Sequence, residues 1–209
     1  MTENNAQCRL CRRMGKKLFL KGDRCETAKC AMVKRNYPPG AHGQKNVGAR
    51  LSDYGRQLKE KQSARIHYNL TEKQFRNYFE KAISRKEETG QGLYSLLEMR
   101  LDNVVYRLGW GKSIKHARQL VNHGHFTVNG KKLNIPSYIV KVGDTVDVSE
   151  KGKKSVRFKE ILDITGSKVV PKWLEVDQEN LKGKVVALPA REDVDLNVQE
   201  HLIVELYSK

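Results

Sequence analysis

In the centre of the chain, apolar residues recur with the period of two consecutive amphipathic helices. Gly109 and Gly111 interrupt the period, Ser113 can cap the second helix, and Gly124 can end it. We therefore expect one helix to end before residue 109 and another to begin after residue 113. The apolar positions of these helices are Leu97, Leu101, Val104, Val105 and Leu108, followed by Ile114, Ala117, Leu120 and Val121.

Short runs of alternating apolar residues follow this pair of helices and predict antiparallel strands. Phe126 and Val128 lead into Asn129-Gly130, a residue pair preferred in the tight type I′ hairpin turn. Alternation returns at residues 138–142 and 146–148. We also expect short strands at residues 173–176 and 184–188.

A helical section precedes the central pair. Ser52 can cap a helix that runs toward Tyr68, and Thr71 with Gln74 forms a capping box for the next helix. That second helix carries an apolar stripe, which we expect to be buried, at Phe75, Tyr78, Phe79, Ala82 and Ile83.

The end of this section and the end of the chain are less sharply marked. Gly90 and Gly92 are expected to break the helix before the central pair begins. Near the C-terminus, Asn197 and Glu200 can form the capping box of a last helix. The apolar residues that follow them fit a strand nearly as well.

The chain is strongly basic, with 40 Lys and Arg against 24 Asp and Glu and a formal net charge of +16. Residues 1–65 carry a net charge of +11, residues 66–159 carry +9, and residues 160–209 carry −4. Such a charge repels itself unless a polyanion is near, so nucleic acid is the leading partner. A membrane surface is the rival, but no apolar run approaches the roughly 20 residues that span a bilayer. Without a secretory apolar core at the N-terminus, the chain is expected to be cytosolic.

The second central helix places its polar side chains opposite its apolar face. A solvated face on an ordinary domain explains this pattern about as well as a binding surface does. As a binding surface, it offers cations for phosphates beside imidazole and amide groups that can reach sugars or bases. Its members are Lys115, His116, Arg118, Gln119, Asn122 and His123, with Lys112 at the N-terminal end.

All four cysteines lie near the N-terminus, at Cys8, Cys11, Cys25 and Cys30. Two knuckles separated by a loop of this length can place four thiolates at the corners of a tetrahedron, as in a structural zinc site. Two disulfides are disfavoured without a secretion signal, and a redox pair would lie between a strand and a helix. Reduced thiols and an iron–sulfur cluster remain as alternatives. With four protein ligands, the Zn2+ would have no open position for catalysis.

Residues 37–44, Tyr-Pro-Pro-Gly-Ala-His-Gly-Gln, cannot continue a helix or a central strand. Seen alone, this segment is best explained as a linker. The functional alternative is an ordered loop laid on RNA, in which Tyr37 and His42 stack on bases. Lys34, Arg35 and Lys45 would then meet phosphates.

Residues 97–130 resemble the RNA-binding module named after the fourth protein of the small ribosomal subunit. The shared pattern is a Glu-x-Arg-Leu-Asp helix, a basic helix that ends in His-Gly, and Val-Asn-Gly. The matching residues are Glu98, Arg100, Leu101, Asp102, Arg118, Gln119, Val121, His123, Gly124, Val128, Asn129 and Gly130.

Nearly the whole chain resembles the bacterial small ribosomal subunit protein four family, in its four-cysteine, zinc-containing type. The motifs are the cysteine knuckle, PPGAHGQ, SDYGRQLKEKQ, EKQFRNYFEKA, the module, PxWLxVD and LIVELYSK. The resemblance implies an α+β fold, in which a mostly helical domain carries an inserted module of two helices and a small antiparallel sheet. We expect a basic zinc-knuckle arm with the Pro/Gly loop at residues 1–45, a helical domain at 46–96, the RNA-binding module at 97–160, and a C-terminal segment packing back on the helical domain at 161–209.

The resemblance also implies a function as a structural constituent of the cytoplasmic small ribosomal subunit. Members bind the 5′ domain of small-subunit ribosomal RNA at a junction of helices, early in assembly. They touch the fifth small-subunit protein, a contact tied to decoding accuracy, and lie near the messenger RNA entry. No small-molecule substrate is expected.

An enzyme is the alternative, because the same module occurs in pseudouridine synthases and tyrosyl-tRNA synthetases. Those proteins carry a separate catalytic domain, for which the residues outside the module are too few here. A stress-related RNA-binding protein would leave the cysteine arm unexplained. We predict no catalytic residue, since the histidines and carboxylates form no recognisable catalytic group. The residues predicted to contact RNA are Arg9, Arg12, Arg13, Lys16, Lys17, Lys34, Arg35, Tyr37, His42, Lys45, Arg56, Lys59, Lys61, Arg65, Lys112, Lys115, His116, Arg118, Gln119 and His123.

Overall fold

A computed structural model describes residues 6–85, 88–155, 158, 160, 162, 169–194 and 196–208. The helices within these ranges are α1 (Gln7–Met14), α2 (Ala31–Lys34), α3 (Asp53–His67), α4 (Glu72–Ile83), α5 (Thr89–Glu98), α6 (Leu101–Arg107), α7 (Ile114–Asn122), α8 (Glu150–Lys153) and α9 (Glu200–Tyr207). Short 3₁₀ helices lie at Gly22–Cys25 and Arg191–Asp193, and the strands are β1 (Phe126–Val128), β2 (Lys131–Lys132), β3 (Thr145–Val148), β4 (Leu174–Asp177) and β5 (Lys182–Val185). In the described part of the chain, no helix has both the length and the apolar character needed to cross a membrane.

The chain forms two compact units, and the second is inserted into the sequence of the first. Unit one comprises residues 1–76 and 196–209, and unit two comprises residues 77–195. The boundary therefore falls within α4. This arrangement, with a helical first unit and a five-stranded sheet in the second, confirms the predicted α+β class.

Helix α3 organises unit one. It begins at the predicted cap, where the Ser52 hydroxyl accepts a hydrogen bond from the Gly55 amide at 3.2 Å. Helices α1 and α9 both pack against it. Gln57 donates to Glu205 of α9 at 2.9 Å, and the ring of Tyr207 stacks on Phe75 with the centroids 6.4 Å apart. The C-terminal apolar run is thus a helix, and it begins after Gln199 rather than at Asn197.

Helix α4 has the predicted capping box. The Thr71 amide donates to the Gln74 side chain at 3.1 Å, and the Gln74 amide donates to the Thr71 hydroxyl at 3.3 Å. Four members of the predicted stripe are buried, but Ile83 is 56% exposed. At 100° per residue, Ile83 lies about 80° around the helix from Phe75, at the edge of the stripe.

Unit two is built on an antiparallel sheet in the order β2-β1-β3-β5-β4. Helices α6 and α7 pack together and share one core with the sheet. Trp110 stacks on Phe126 with ring centroids 5.9 Å apart, and Phe158 meets the same ring edge-on at 6.2 Å. The predicted hairpin is present, with Asn129 and Gly130 at φ values of 50° and 75°.

Several local predictions differ from the structure. Gly90 and Gly92 do not break a helix but lie inside α5, where both are buried. The single helix expected over residues 97–108 is instead divided between the end of α5 and α6. Residues 138–142 form no strand. Instead the Leu101 amide donates to the carbonyl of Tyr138 at 2.8 Å, and the Val140 amide donates to the carbonyl of Met99 at 2.9 Å. The backbone partners of this segment therefore lie in the α5–α6 junction.

The far edge of the sheet comes from residues that the sequence placed beyond the module. Strand β5 pairs with β3 through Thr145 and Lys184, and β4 pairs with β5. Residues 174–185 therefore extend the module's sheet, across the boundary expected at residue 160. A local pattern cannot reveal this pairing, because it joins segments separated by more than 30 residues.

Candidate nucleic-acid interface

Arg12 holds the Pro/Gly loop against α1. Its Nε donates to the carbonyls of Tyr37 at 2.9 Å and Arg35 at 3.1 Å, and its guanidinium lies 4.6 Å from the centroid of the Tyr37 ring. The loop closes tightly, since a Cβ on Gly43 would lie 1.9 Å from the carbonyl oxygen of Pro38. The segment is thus a folded part of unit one rather than a plain linker.

An open cavity of about 880 Å³ lies in unit one, and we call it the unit-one groove. Five of the residues predicted to contact RNA line it beside apolar side chains such as Leu58 and Ile66. Cations next to apolar and aromatic surface suit a nucleic-acid strand, which presents phosphates and base faces together. The five are Arg12, Arg13, Tyr37, Lys59 and Arg65.

The remaining predicted residues of unit one differ in their availability. Lys16 pairs with Glu60 at 2.5 Å and donates to the carbonyl of Asn197 at 2.9 Å, and Arg56 pairs with Asp53. The side chains exposed to solvent are those of Arg9, Lys17, Lys34, Arg35, His42, Lys45 and Arg56.

Lys61 is buried rather than presented to a ligand. Its Nζ lies 2.6 Å from Glu72 and 5.8 Å from the Tyr207 ring centroid. Burial alone would raise the pKa of Glu72, but hydrogen bonds from Lys61 and Tyr207, with the charge of Arg65, outweigh it and lower that pKa. The sequence predicted an RNA contact here because it shows the charge of Lys61 but not the partner eleven residues away.

The four cysteines line one small cavity of about 10 Å³. All four are free thiols, and burial followed by the influence of the neighbouring thiols raises the pKa of Cys11 and of Cys25. Four sulfur donors around one cavity match the ligand set of structural zinc. However, no group of three or more His, Cys, Asp or Glu among the described residues is arranged to hold a metal ion. The predicted zinc is therefore not confirmed.

Helix α7 of unit two presents the polar face expected from its sequence. It begins at Ser113, whose hydroxyl accepts from the His116 amide at 3.3 Å. Ile114, Ala117 and Val121 are buried, whereas Leu120 is only partly buried. On the opposite face Lys115, Gln119 and His123 are exposed, and Lys112, His116 and Arg118 are half-buried.

A buried network beneath α7 holds Arg118. Its Nη1 lies 3.5 Å from Asp102, which also receives two hydrogen bonds from Arg100 at 3.0 and 2.7 Å. Arg100 donates in turn to the Tyr78 hydroxyl at 2.6 Å. Burial opposes the charge of Arg100, but the Asp102 carboxylate outweighs burial and raises the pKa of Arg100.

The Glu-x-Arg-Leu-Asp motif is therefore structural in this fold. Its first member, Glu98, accepts hydrogen bonds from Arg107 at 3.0 Å and from Asn103 at 2.5 Å, and it is fully buried. Of the ionic side chains in this network, only that of Arg118 reaches solvent appreciably, with 25% exposure.

A pocket of about 520 Å³ opens beside α7, and we call it the α7 pocket. Four of the residues predicted to contact RNA line this pocket together with His125, which was not among the residues predicted from the sequence. Burial and then Lys112 lower the pKa of His116, while burial, His123 and Lys132 lower that of His125. The start of a strand directly after a polar helix end is the signal that could have found His125. The lining residues are Lys112, His116, Gln119, Leu120, His123, His125, Ser155, Phe158 and Glu160.

Comparison with known families fits this division of the chain. Residues 3–98 match the family described as ribosomal protein S4/S9 N-terminal domain, and residues 99–146 match the S4 domain. The class is thus a ribosomal protein that carries an S4 domain.

Relatives over the whole length make the assignment specific. The chain is 60% identical to small ribosomal subunit protein uS4 of Ruminiclostridium cellulolyticum, over 98% of each chain. It is 58% identical to the uS4 protein of Acetivibrio thermocellus over 98% of this chain and 97% of that one, and 60% identical to that of Caldicellulosiruptor bescii over 97% and 96%. The chain belongs to the small ribosomal subunit protein uS4 family.

Proposed function

We propose that this protein is a structural constituent of the small ribosomal subunit in the bacterial cytoplasm and binds its ribosomal RNA. The relatives named above support the assignment along the full chain. The observation that carries it is helix α7, which buries one face in the core and turns cations, imidazoles and an amide outward. Such a face can hold phosphates and reach bases at the same time.

The finer proposal follows the family resemblance. The RNA site is a junction of helices in the 5′ domain, bound early in assembly of the subunit body. The partners are the fifth small-subunit protein, through a contact that affects decoding accuracy, and other ribosomal proteins, and the protein lies near the messenger RNA entry. The basic unit-one groove and the α7 face supply the positive charge that an early RNA binder needs.

We also propose that the cysteine cluster binds structural Zn2+. The support is the convergence of Cys8, Cys11, Cys25 and Cys30 on one cavity in a segment that has few large apolar residues. A bound zinc ion would cross-link α1, the 3₁₀ helix and the start of α2, and with four thiolate ligands it would have no open position. Metal analysis of the purified protein tests this proposal separately from RNA binding.

The enzyme alternative is not favoured. The match to ribosomal proteins extends over 98% of this chain, so no segment is left over as a catalytic domain. The conspicuous buried carboxylates, Glu98 and Asp102, are each held by arginines. These ion pairs indicate that the Glu-x-Arg-Leu-Asp motif serves the folding of the chain.

Sedimentation of cell extracts tests the proposed function. An epitope-tagged chain is expected to co-sediment with small subunits in stoichiometric amounts and to stay there at moderate salt. Chemical footprinting on small-subunit ribosomal RNA should then show protection in the 5′ domain. Tagged protein that remains in the soluble fractions, or protection confined to another domain, would contradict the proposal.

A further inference from the structure

The α7 pocket is concave, whereas contact with the backbone of an RNA helix requires only an exposed cationic surface. Its apolar lining comes from the partly buried Leu120 and from Phe158, of which only 2% is exposed, and its polar lining includes three imidazoles and an amide. Pockets of a few hundred Å³ with this mixed lining are typical of small-ligand sites. The pocket is therefore of a size and chemistry that take a single nucleotide.

We propose that the α7 pocket binds one unstacked nucleotide of the ribosomal RNA, with the base among the imidazoles and the phosphate at Lys112. This inference rests on the proposed function and deepens it, because it names the RNA element that unit two recognises. A base within a duplex is stacked and paired on both sides, so only a nucleotide from a loop, bulge or junction can enter.

The side chains offer both stacking and edge recognition. His123 and His125 lie with ring centroids 6.2 Å apart and planes tilted by 51°, so they form two walls rather than one continuous stack. Gln119 carries an amide that can both donate to and accept from a base edge. Glu160 adds an acceptor for the exocyclic amino group of a base.

His116 has a defined hydrogen-bonding role in this pocket. Its Nδ1 lies 3.3 Å from the Lys112 amide nitrogen, which donates to it. A neutral imidazole that accepts at Nδ1 carries its proton on Nε2, so the ring offers a donor there. The lowered pKa of His116 favours this neutral form. A ring nitrogen or carbonyl oxygen of a base can accept the bond.

The mixed charge of the lining residues distinguishes this pocket from a site that binds only a phosphate. Lys112 contributes a positive charge to the pocket lining, while the carboxylate of Glu160 would repel a phosphate placed next to it. The proposal therefore places the phosphate beside Lys112, near the N-terminal end of α7, and the base beside Gln119, His123 and His125.

The test measures binding of the full-length protein to a 5′-domain ribosomal RNA fragment at several salt concentrations. Gln119→Ala and His125→Ala should each weaken binding about ten-fold, the size expected for a lost base contact. Because neither change removes a charge near pH 8, the slope of affinity against salt should stay the same. Loss of a phosphate contact would instead reduce that slope by about 0.7 to 0.9. Asn134→Ala, an exposed polar residue outside the pocket, is the matched control.

Chemical probing of base edges on the same complexes supplies the second readout. Wild-type protein should protect one unpaired nucleotide that becomes reactive again with Gln119→Ala. Wild-type affinity in both pocket variants, or unchanged protection, would overturn the inference while leaving the proposed function intact. If the wild-type protein does not bind the fragment at all, the proposed function itself fails.

Discussion

At the scale of single residues, the ion network around Asp102 shows how a recognition motif can serve the fold. Asp102 and Arg100 are each only 1% exposed, and Asp102 holds Arg118 at the surface of α7. A buried ion pair contributes little net stability, but removing one partner leaves the other as an uncompensated buried charge. Asp102 is thus a positioning residue for Arg118.

Asp102→Asn should therefore destabilise the protein by about 3 to 5 kcal/mol, because Arg100 loses its counter-charge in a buried site. Urea unfolding followed by circular dichroism measures the change. Glu175→Gln, at an exposed position in β4, serves as the control and should change little. A stability of Asp102→Asn equal to that of the control would show that Tyr78 alone compensates Arg100.

The histidines of the α7 pocket predict a pH dependence of stability. The pKa values of His116 and His125 are lowered, by burial first and then by nearby cations. The unfolded chain, in which a histidine titrates at about 6.5, binds more protons than the folded chain between that value and the lower folded pKa. The contribution of these two histidines to the free energy of unfolding is therefore fully present above about pH 6.5 and is lost as the pH falls below that value.

The free energy of unfolding should fall more for the wild type than for the double variant His116→Asn, His125→Asn between about pH 8 and about pH 5.5. Urea titrations at each pH measure the difference, and the acidic groups common to both proteins cancel in the comparison. Ser137→Ala, exposed and remote in sequence, should follow the wild type. Equal pH profiles for wild type and double variant would show that these imidazoles do not contribute to the pH dependence of stability.

At the scale of elements, α7 divides stability and binding between its two faces. Val121 is fully buried, while Lys115 is exposed on the opposite side. The helix also lies close to the preceding turn, since a Cβ on Gly111 would come within 2.9 Å of the Ala117 Cβ. The position of the polar face is therefore set by tight packing on the other side of the helix.

Lys115→Ala should weaken RNA binding and lower the salt slope by about 0.7 to 0.9 with little loss of stability. Val121→Ala should cost roughly 2 kcal/mol of stability through lost burial and a cavity. Val121 is a better core probe than Leu120, which is only partly buried. Filter binding and urea unfolding on both variants give the comparison. Unchanged affinity and slope for Lys115→Ala would mean that this face of α7 does not meet RNA.

The elements that could be predicted from sequence are those with strong local signals. Ser52, Thr71 and Ser113 each cap the helix expected of them, and the polar face of α7 follows from its period. Signals that depend on distant partners were interpreted wrongly. Gly90 lies buried within α5, and residues 138–142 bond to the α5–α6 junction instead of joining the sheet.

The candidate site shows the same division. Exposed cations such as Lys115 are evident from the sequence, because a helical period fixes the side on which they lie. The burial of Lys61 depends on Glu72 and Tyr207, and the α7 pocket depends on Ser155, Phe158 and Glu160 lying beside α7. Neither can be derived from local spacing.

At the scale of the whole molecule, the two units obtain their stability in different ways. Unit two has a continuous core that joins two helices to a five-stranded sheet. The cysteine arm of unit one has few large buried side chains, chiefly Met14, Leu18 and Leu20. A segment with so small a core needs a cross-link or a partner to remain ordered. The proposed zinc ion would supply that cross-link.

Cys8→Ser or Cys25→Ser should release the metal and unfold the arm, residues 1–45, because structural zinc contributes on the order of 10 kcal/mol to small sites of this kind. Unit two should remain folded, since its core uses none of these residues. Metal analysis and amide hydrogen exchange measure the two effects, and Thr27→Ser, between the knuckles, is the control. Fast exchange confined to the arm is the expected result. Collapse of protection in α6 and α7 as well would show that the arm supports the whole chain, and metal-free wild-type protein with a protected arm would show that thiol packing alone orders it.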